Sequence, residues 1–461
     1  MSKITLEELS NSLKDHLNTL GLTQEQVEAM IQNAFTSENL QTQSKDIIGA
    51  INELFQSGNN VKQMLVDALI AKDVECSTSN TWDELLSIVN GELINSTAPR
   101  LEIKEISCGE DFSAVLKTDG TLWTAGGNNK GELGRGDTTS TKILQQVPGI
   151  LDVKQISCGY NHLAVVKNDG TVWVTGLNDY GQLGLGDTSN RYSLTQVTNT
   201  NIVDVKKVVC GYYHTYVLKN DGTLYACGHN WYGQLMNGSS DRNAHSSLTR
   251  VTAGIGENKV VDVYTAWAHA FIVLENGEIW SVGYNTYGEL GIGNTTMQKT
   301  PVKTSLTTND VKQIACYGYG TAIVKTDGTL WACGLNDYGQ LGLGDTTSRT
   351  SFTQVTDNVD KISCGSFHLM ILKNDGSLWG CGQNSYSQLG LGNNNTSAYS
   401  TITQITTNIN NDIAEIIAAY THTIIIKKDY TLWMCGDNGH TTGMTSTTNY
   451  SFTQIPKYFS Y

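Results

Sequence analysis

Five histidines, His162, His214, His269, His368 and His422, occupy one position of a repeating pattern, and imidazole is the side chain best suited to bind metal or move protons near neutral pH. A metal centre needs three or four ligands converging on one ion. Equivalent positions of a repeat are instead spread around the assembly, and no carboxylate or cysteine follows these histidines at ligand spacing. The pattern therefore predicts a structural hydrogen bond within each repeat. The ten cysteines read in a similar way. Cys108, Cys158, Cys210 and Cys364 precede the glycine of a CG motif, with Cys316 in the same phase, and Cys227, Cys333, Cys381 and Cys435 precede the glycine that ends the third strand. Thr265, Ala418, Ala125, Thr175 and Val282 fill those slots elsewhere. The slot takes a small, mostly apolar group, and a reduced, buried cysteine behaves as one. No CxxC pair occurs, which argues against zinc and disulfides. Arg135, Gly136 and Asp137 spell an integrin-type tripeptide, but Leu185, Gly186 and Asp187 hold the same slots one repeat later. The Lys and Asp before each hairpin glycine are turn residues, and no Ser, His and Asp set stands apart from the repeat. No catalytic residue, metal or cofactor is expected.

Recognition chemistry is a different matter. Two positions after the CG glycine change from repeat to repeat: Glu110 and Asp111, Tyr160 and Asn161, Tyr212 and Tyr213, Trp267 and Ala268, Gly318 and Tyr319, Ser366 and Phe367, Tyr420 and Thr421. Framework positions repeat and these do not, as expected of loops that present a binding surface on a rigid scaffold. Tyr160, Tyr212, Tyr213, Trp267, Tyr319, Phe367 and Tyr420 are the candidate binding residues. Their rings can anchor a protein or stack on sugars. The competing reading is that some of them pack inward near a central channel.

The elements that must position these loops come from the repeat itself. Its clearest copy runs from Val153 to Val197, and the hairpin glycines fall at Gly120, Gly170, Gly222, Gly277, Gly328 and Gly376, with Tyr430 in the seventh place. The spacings are 50, 52, 55, 51, 48 and 54. A period near 50 made of short strands and turns signals a propeller blade. In the second copy the strands are expected at 153–157, 162–167, 171–175 and 194–198, with Asp169 and Gly170 supplying the hairpin. One aromatic per copy, at Trp123, Trp173, Tyr225, Trp280, Trp331, Trp379 and Trp433, is expected to pack between adjacent blades. The fold class is an all-β seven-bladed β-propeller over 96–461, with a small α-helical region over 1–95. Either terminus could supply a strand that closes the ring.

The elements CGxxH, KxDGTLW and CGxNxYGQLGLGD together resemble the repeat of the regulator of chromosome condensation family, a seven-bladed propeller, over about three quarters of the chain. Departures are local. Phe112 replaces the first His, the fifth copy has Tyr317 at the CG glycine and Gly320 at the His, and the seventh lacks the YGQLGLGD stretch. Propellers of this kind include regulatory binders of proteins, which the resemblance implies as one use of the chain.

In the first hundred residues, Leu6, Leu9, Leu13, Leu17 and Leu20 recur at steps of three and four after a Thr5 to Glu8 capping box. Shorter helical pieces follow, suited to a small bundle or to assembly with other chains, a homo-oligomer included. Residues 40–55, LQTQSKDIIGAINELF, and 61–89 resemble segments of bacteriophage and prophage tail and fibre proteins. That resemblance implies attachment to other tail or baseplate proteins. It further implies a virion or phage-tail-like particle assembled in a bacterial cytoplasm, with the propeller facing a bacterial surface protein or glycan.

Charge narrows the partners. The net charge is −14; residues 1–100 hold six Lys or Arg against fourteen Asp or Glu and so account for −8 of it. An acidic surface repels phosphate, so nucleic acid is not an expected partner. No stretch reaches the eighteen or so apolar residues of a membrane span. The expected function is a non-enzymatic tail-associated receptor-binding protein; a structural decoration and a free regulatory propeller are the alternatives.

Overall fold

A computed structural model describes residues 103–455 except 394, 410–411 and 438–447. These residues lie in one compact unit, Leu101–Tyr461. The helices expected over 1–95 lie outside the described residues.

The described chain makes seven antiparallel four-stranded sheets, each from four consecutive strands. Blade 1 is β1 (Ile103–Cys108), β2 (Phe112–Lys117), β3 (Leu122–Gly126) and β4 (Thr141–Gln146). Blade 2 is β5 (Val153–Cys158), β6 (His162–Lys167), β7 (Val172–Gly176) and β8 (Arg191–Gln196). The last blade runs from β25 (Ile413–Ala418) to β28 (Thr448–Gln454). The fourth strand of blade 2 begins three residues earlier than the sequence suggests. A register shift between Val174 and Gly176 lets Gly176 pair with Arg191, so pairing starts while the chain still looks like loop. Among the described residues each sheet is closed by its own four consecutive strands, and neither terminus contributes a strand to the other's blade. Ile103, Ile106 and Cys108 of the first blade pack against Ile424, Ile426, Leu432 and Met434 of the last.

Each hairpin is locked locally. Asp169 Oδ1 accepts the Thr171 N–H at 2.9 Å and its hydroxyl at 2.6 Å, and Trp173 Nε1 donates to Thr171 Oγ1 at 3.2 Å. The turn needs a left-handed residue, supplied by Gly170 at φ 78° and, in the seventh blade, by Tyr430 at φ 64°. The third-strand tryptophans sit between blades as expected: Trp173 packs on a cluster holding Phe112 and Leu122 of blade 1 and Ile156 of blade 2. Lysine ammonium groups lie over four of these rings, Trp123, Trp331, Trp379 and Trp433, at 3.9 to 4.9 Å, a favourable cation–π distance.

Two devices join successive blades. In the first six blades the glycine-rich loop after the third strand reaches the fourth strand of the next blade, as in the bridges Leu185 to Ser247 and Leu343 to Thr401. A Cβ on Gly181 would lie 2.2 Å from Ser246 Cα, so only glycine allows the approach. A buried Asn organises the loop: Asn178 Oδ1 accepts the Leu183 N–H at 3.0 Å, and its Nδ2 donates to Asp187 O at 2.9 Å.

The second device is the histidine, and it bonds between blades rather than within one. Nε2 of His162, His214, His269 and His368 meets Oγ1 of Thr215, Thr265, Thr321 and Thr423 of the following blade at 2.9 to 3.1 Å. Each threonine spends its own proton on a carbonyl: Thr215 donates to Gln182 O, Thr265 to His269 O, Thr321 to Glu289 O and Thr423 to Gln388 O. The histidine Nε2 therefore carries the proton, and Nδ1 is left unpaired and buried. Burial drives these imidazoles down to a pKa of about 3 for His162, His214 and His368 and about 4 for His269 and His422.

The two departures from the histidine pattern follow the same logic. The following blade offers Leu163 beside Phe112 and Leu369 beside Tyr317, so an apolar or weakly bonded ring replaces imidazole. In the fifth blade the ring also changes its point of attachment. A Cβ on Gly159 would meet His162 Cε1 at 2.1 Å, whereas a Cβ on Gly320 would meet Tyr317 Cζ at 2.2 Å. The ring and the glycine have traded places around one cavity.

Tyr317→Gly should cost roughly 3–5 kcal/mol through the cavity it leaves, and Gly320→Phe should destabilise by collision with Tyr317. The double substitution rebuilds the arrangement of blade 1 and should recover most of the loss. Thermal unfolding of the four proteins checks this; additive losses would refute the exchange.

Glu289 generates a pH prediction. Its Oε2 accepts the Tyr287 N–H at 3.0 Å while Oε1 is buried without a partner, and burial pushes its pKa up to about 7. Gln182, Gln234, Gln340 and Gln388 hold the same place in other blades. A raised carboxylate contributes stability that is complete below its unfolded value near 4.5 and is lost as pH rises through 7. The depressed histidines act oppositely: their contribution is complete above about 6.5 and is lost as pH falls toward 3 to 4. Glu289→Gln should therefore raise stability by about 2–3 kcal/mol at pH 8 and by little at pH 4.5. Both proteins should weaken between pH 6.5 and 4 as the histidines charge, the variant more steeply so that the two converge, as read from unfolding midpoints across that range.

Candidate binding face at the channel mouth

The inner strands β1 and β5, and their counterparts in the other blades, surround the central channel with one edge unpaired by any strand. Side chains of the preceding blade take over that edge. Gln155 Oε1 accepts the Val208 N–H at 2.9 Å, Gln313 Oε1 accepts that of Ile362 at 3.0 Å, and Ser157 Oγ accepts that of Cys210 at 2.9 Å. The loops that follow the inner strands are tied in turn by backbone bonds: Glu110 N–H to Tyr160 O at 3.0 Å, Tyr160 N–H to Tyr212 O and Tyr212 N–H to Ala266 O, both at 3.2 Å. This spiral fixes the variable loops of four blades relative to one another.

Those loops enclose a cavity of about 260 Å³ at the channel mouth. Of the seven candidates, Tyr160, Tyr212, Trp267, Tyr319, Phe367 and Tyr420 line it, and Tyr213 stands behind. The rings turn toward the channel, and there they form one continuous surface. Tyr160 stacks on Tyr212 at 3.7 Å between centroids, Tyr212 lies 6.4 Å from Trp267, Trp267 lies 4.7 Å from Tyr319, and Tyr319 stacks on Phe367 at 6.1 Å. In blades 5 and 6 the second variable position carries the ring, because Gly318 and Ser366 occupy the first.

A second tier of rings was missed in the sequence. Tyr180 contacts Tyr213 at 5.0 Å, Tyr232 and Tyr284 each lie 5.2 Å from Trp267, and Tyr338 meets Phe367 at 5.3 Å. Most of these are the Tyr of the YGQLG stretch, whose regular recurrence reads as framework. The available signal is that the framework has no structural need for a ring there: its backbone N–H bonds the Gln or Glu two residues on, as Tyr180 does to Gln182 at 3.0 Å, and Lys130 serves in blade 1.

The face is aromatic over blades 2 to 6 and acidic at blade 1. The Tyr160 hydroxyl donates to Glu110 Oε1. Partial burial raises the Glu110 pKa, and the Tyr160 bond opposes the rise. Burial, reinforced by Glu110 at Tyr160 and by the Tyr160 hydroxyl at Tyr212, pushes both phenols far above their ordinary range, so both remain protonated. The floor carries thiols at Cys108, Cys158, Cys210, Cys316 and Cys364, all free. Burial raises them too, to about 11 for Cys108 and about 12 for Cys210 and Cys316, and the thiol form is neither a metal ligand nor a nucleophile. The RGD tripeptide is not displayed as a recognition loop: the Arg135 side chain is buried and donates to Thr139 O at 2.8 Å and to Gln145.

Residues 86–309 match the RCC1-like domain, and residues 327–372 and 375–426 match the regulator of chromosome condensation (RCC1) repeat. The ultraviolet-B receptor UVR8 of Arabidopsis thaliana is 29% identical over 252 residues, 54% of this chain and 57% of the receptor. The probable E3 ubiquitin-protein ligase HERC4 of Homo sapiens is 35% identical over 250 residues, 53% of this chain and 23% of the ligase. The chain thus spans little more than half the length of the first relative and under a quarter of the second. Among solved structures, Prp20p from Saccharomyces cerevisiae superposes with a TM-score of 0.64 at 19% identity, covering 75% of this chain and 88% of that one. Human WBSCR16 gives 0.61 at 23% identity, covering 71% and 87%. The cyclic architecture, the blade-joining loops and these matches lead to one conclusion: the chain is a seven-bladed propeller built of RCC1-like repeats.

Proposed function

We propose that the chain is a non-enzymatic recognition protein whose channel mouth binds a protein partner. The continuous aromatic surface from Tyr160 to Phe367 carries this reading, since partly exposed, rigidly held Tyr and Trp are the side chains that anchor interfaces. Protein binding also accords with Prp20p, whose structural description reports binding to Gsp1p and histones. The partner of this chain is its own question, because likeness at that level of identity concerns fold alone.

A second reading adds a setting. Residues 40–55 and 61–89 resemble phage tail segments, which favours display of the propeller on a tail-like particle through residues 1–95, toward a bacterial surface protein or glycan. Many copies on one particle would raise avidity without tight single contacts.

One experiment separates these readings. Full-length protein, a form lacking residues 1–95 and the double variant Tyr212→Ala/Trp267→Ala are cross-linked in lysate of the source cells, and induced particles are purified in parallel. A free regulatory binder keeps its partner without residues 1–95 and loses it by at least tenfold in the double variant, about the loss of one anchoring aromatic. A tail protein copurifies with particles only when residues 1–95 are present. Partner capture that survives Tyr212→Ala/Trp267→Ala sinks the channel-mouth assignment.

A further inference from the structure

We infer that the cavity at the channel mouth receives a side-chain cation, the ammonium of a lysine or the guanidinium of an arginine presented by the partner. The inference rests on the channel-mouth reading above and adds the chemistry of the occupant. Three observations carry it. The cavity is walled by the rings of Tyr160, Tyr212, Trp267, Tyr319 and Phe367, whose faces attract a cation. Its charged edge is acidic: Glu110 lies in the lining, Asp111 is adjacent and exposed, and both act on Tyr420 of the neighbouring last blade. Among the described residues, no Lys, Arg or His lines the cavity to answer that charge.

Alternative occupants fit less well. A sugar stacks on rings but also needs several directional amides or charged side chains for its hydroxyls, and of these the described lining holds Glu110 alone. An apolar group would cover the rings but leave the Glu110 carboxylate desolvated beside it, which is unfavourable. A cation satisfies both walls. The same chain already makes this pairing beside the second tier of rings, where exposed Arg242 lies 4.9 Å over the Trp231 ring, itself 6.4 Å from Tyr180.

The test titrates the full chain, at constant ionic strength, with N-acetyl-arginine amide, N-acetyl-lysine amide, the neutral isostere N-acetyl-norleucine amide and methyl β-glucoside. Binding is followed by saturation-transfer NMR. The cationic amides should bind about tenfold tighter than norleucine amide, and Glu110→Gln, which keeps the acceptor for Tyr160, should lower that preference several-fold at an unchanged unfolding midpoint. Equal or tighter binding of norleucine amide or the glucoside overturns the inference. So does a cation preference unchanged in both Glu110→Gln and Trp267→Ala. If no probe binds while Tyr212→Ala/Trp267→Ala still abolishes partner capture, the cation is wrong and the recognition face stands. If partner capture also survives that double substitution, the face itself is wrong.

Discussion

A ring of sheets, each made of four consecutive strands, depends on what happens between blades. Each sheet needs both faces covered by neighbours, and each inner strand presents an edge that no strand will pair. Here the edge is answered by Gln155, Ser157, Gln313 and their equivalents, reaching from one blade to the backbone of the next. The faces are held by the histidine and threonine latch and by the glycine-rich loop. Each is a buried polar contact whose partners lie on different blades, and an unmet partner would cost more than the bond gains. The latch therefore specifies how adjacent blades sit, beyond supplying adhesion. The Phe112 with Leu163 and Tyr317 with Leu369 pairs make the point by exception, since the hydrogen-bonding ring disappears where the next blade offers no hydroxyl.

This division of labour frees the mouth loops. Blade cohesion is supplied below them and around the rim, so the residues after the CG position can vary without loss of the ring. The backbone spiral from Glu110 to Ala266 still holds those loops in place. Rings fixed in this way lose little conformational freedom on binding, which is the chief cost that an anchoring aromatic must overcome.

Much of this was legible in the residues. The period, the blade count, the hairpin at Asp169 and Gly170, the role of the third-strand Trp and the small-side-chain cysteine slots follow from spacing and type alone. What escaped has physical causes. The fourth strand starts early because a bulge beside Gly176 shifts its register, and bulges leave no mark in an alternating pattern. The histidine bond was placed within the blade because sequence spacing cannot tell a near residue of the same sheet from Thr215, 53 residues on, in the next. The outer aromatic tier was hidden by its own regularity, Tyr180 and its equivalents recurring like framework while serving the surface. Tyr213 was a candidate because it fills the second variable position, but in that blade Tyr212 at the first position takes the mouth and Tyr213 packs against it at 4.5 Å.

Like the interfaces at Phe112 and Tyr317, the seam between the last blade and the first lacks the histidine and threonine latch. His422 has Nε2 buried without a partner, and Ser113, at the position where Thr215, Thr321 and Thr423 accept a histidine, donates instead to Cys108 Sγ at 3.5 Å in its own blade. Apolar packing of Ile103 and Ile106 on Ile424 and Ile426 carries the closure. The candidate cavity lies across this same seam, with Glu110 on the first blade and Tyr420 on the last. An occupant that touches both meets its full set of contacts only in the closed ring. Its affinity and the stability of the seam are then linked, each favouring the other by the same free energy. A binding site whose lining spans every blade, this seam included, thus lets recognition strengthen a closure that lacks the histidine latch.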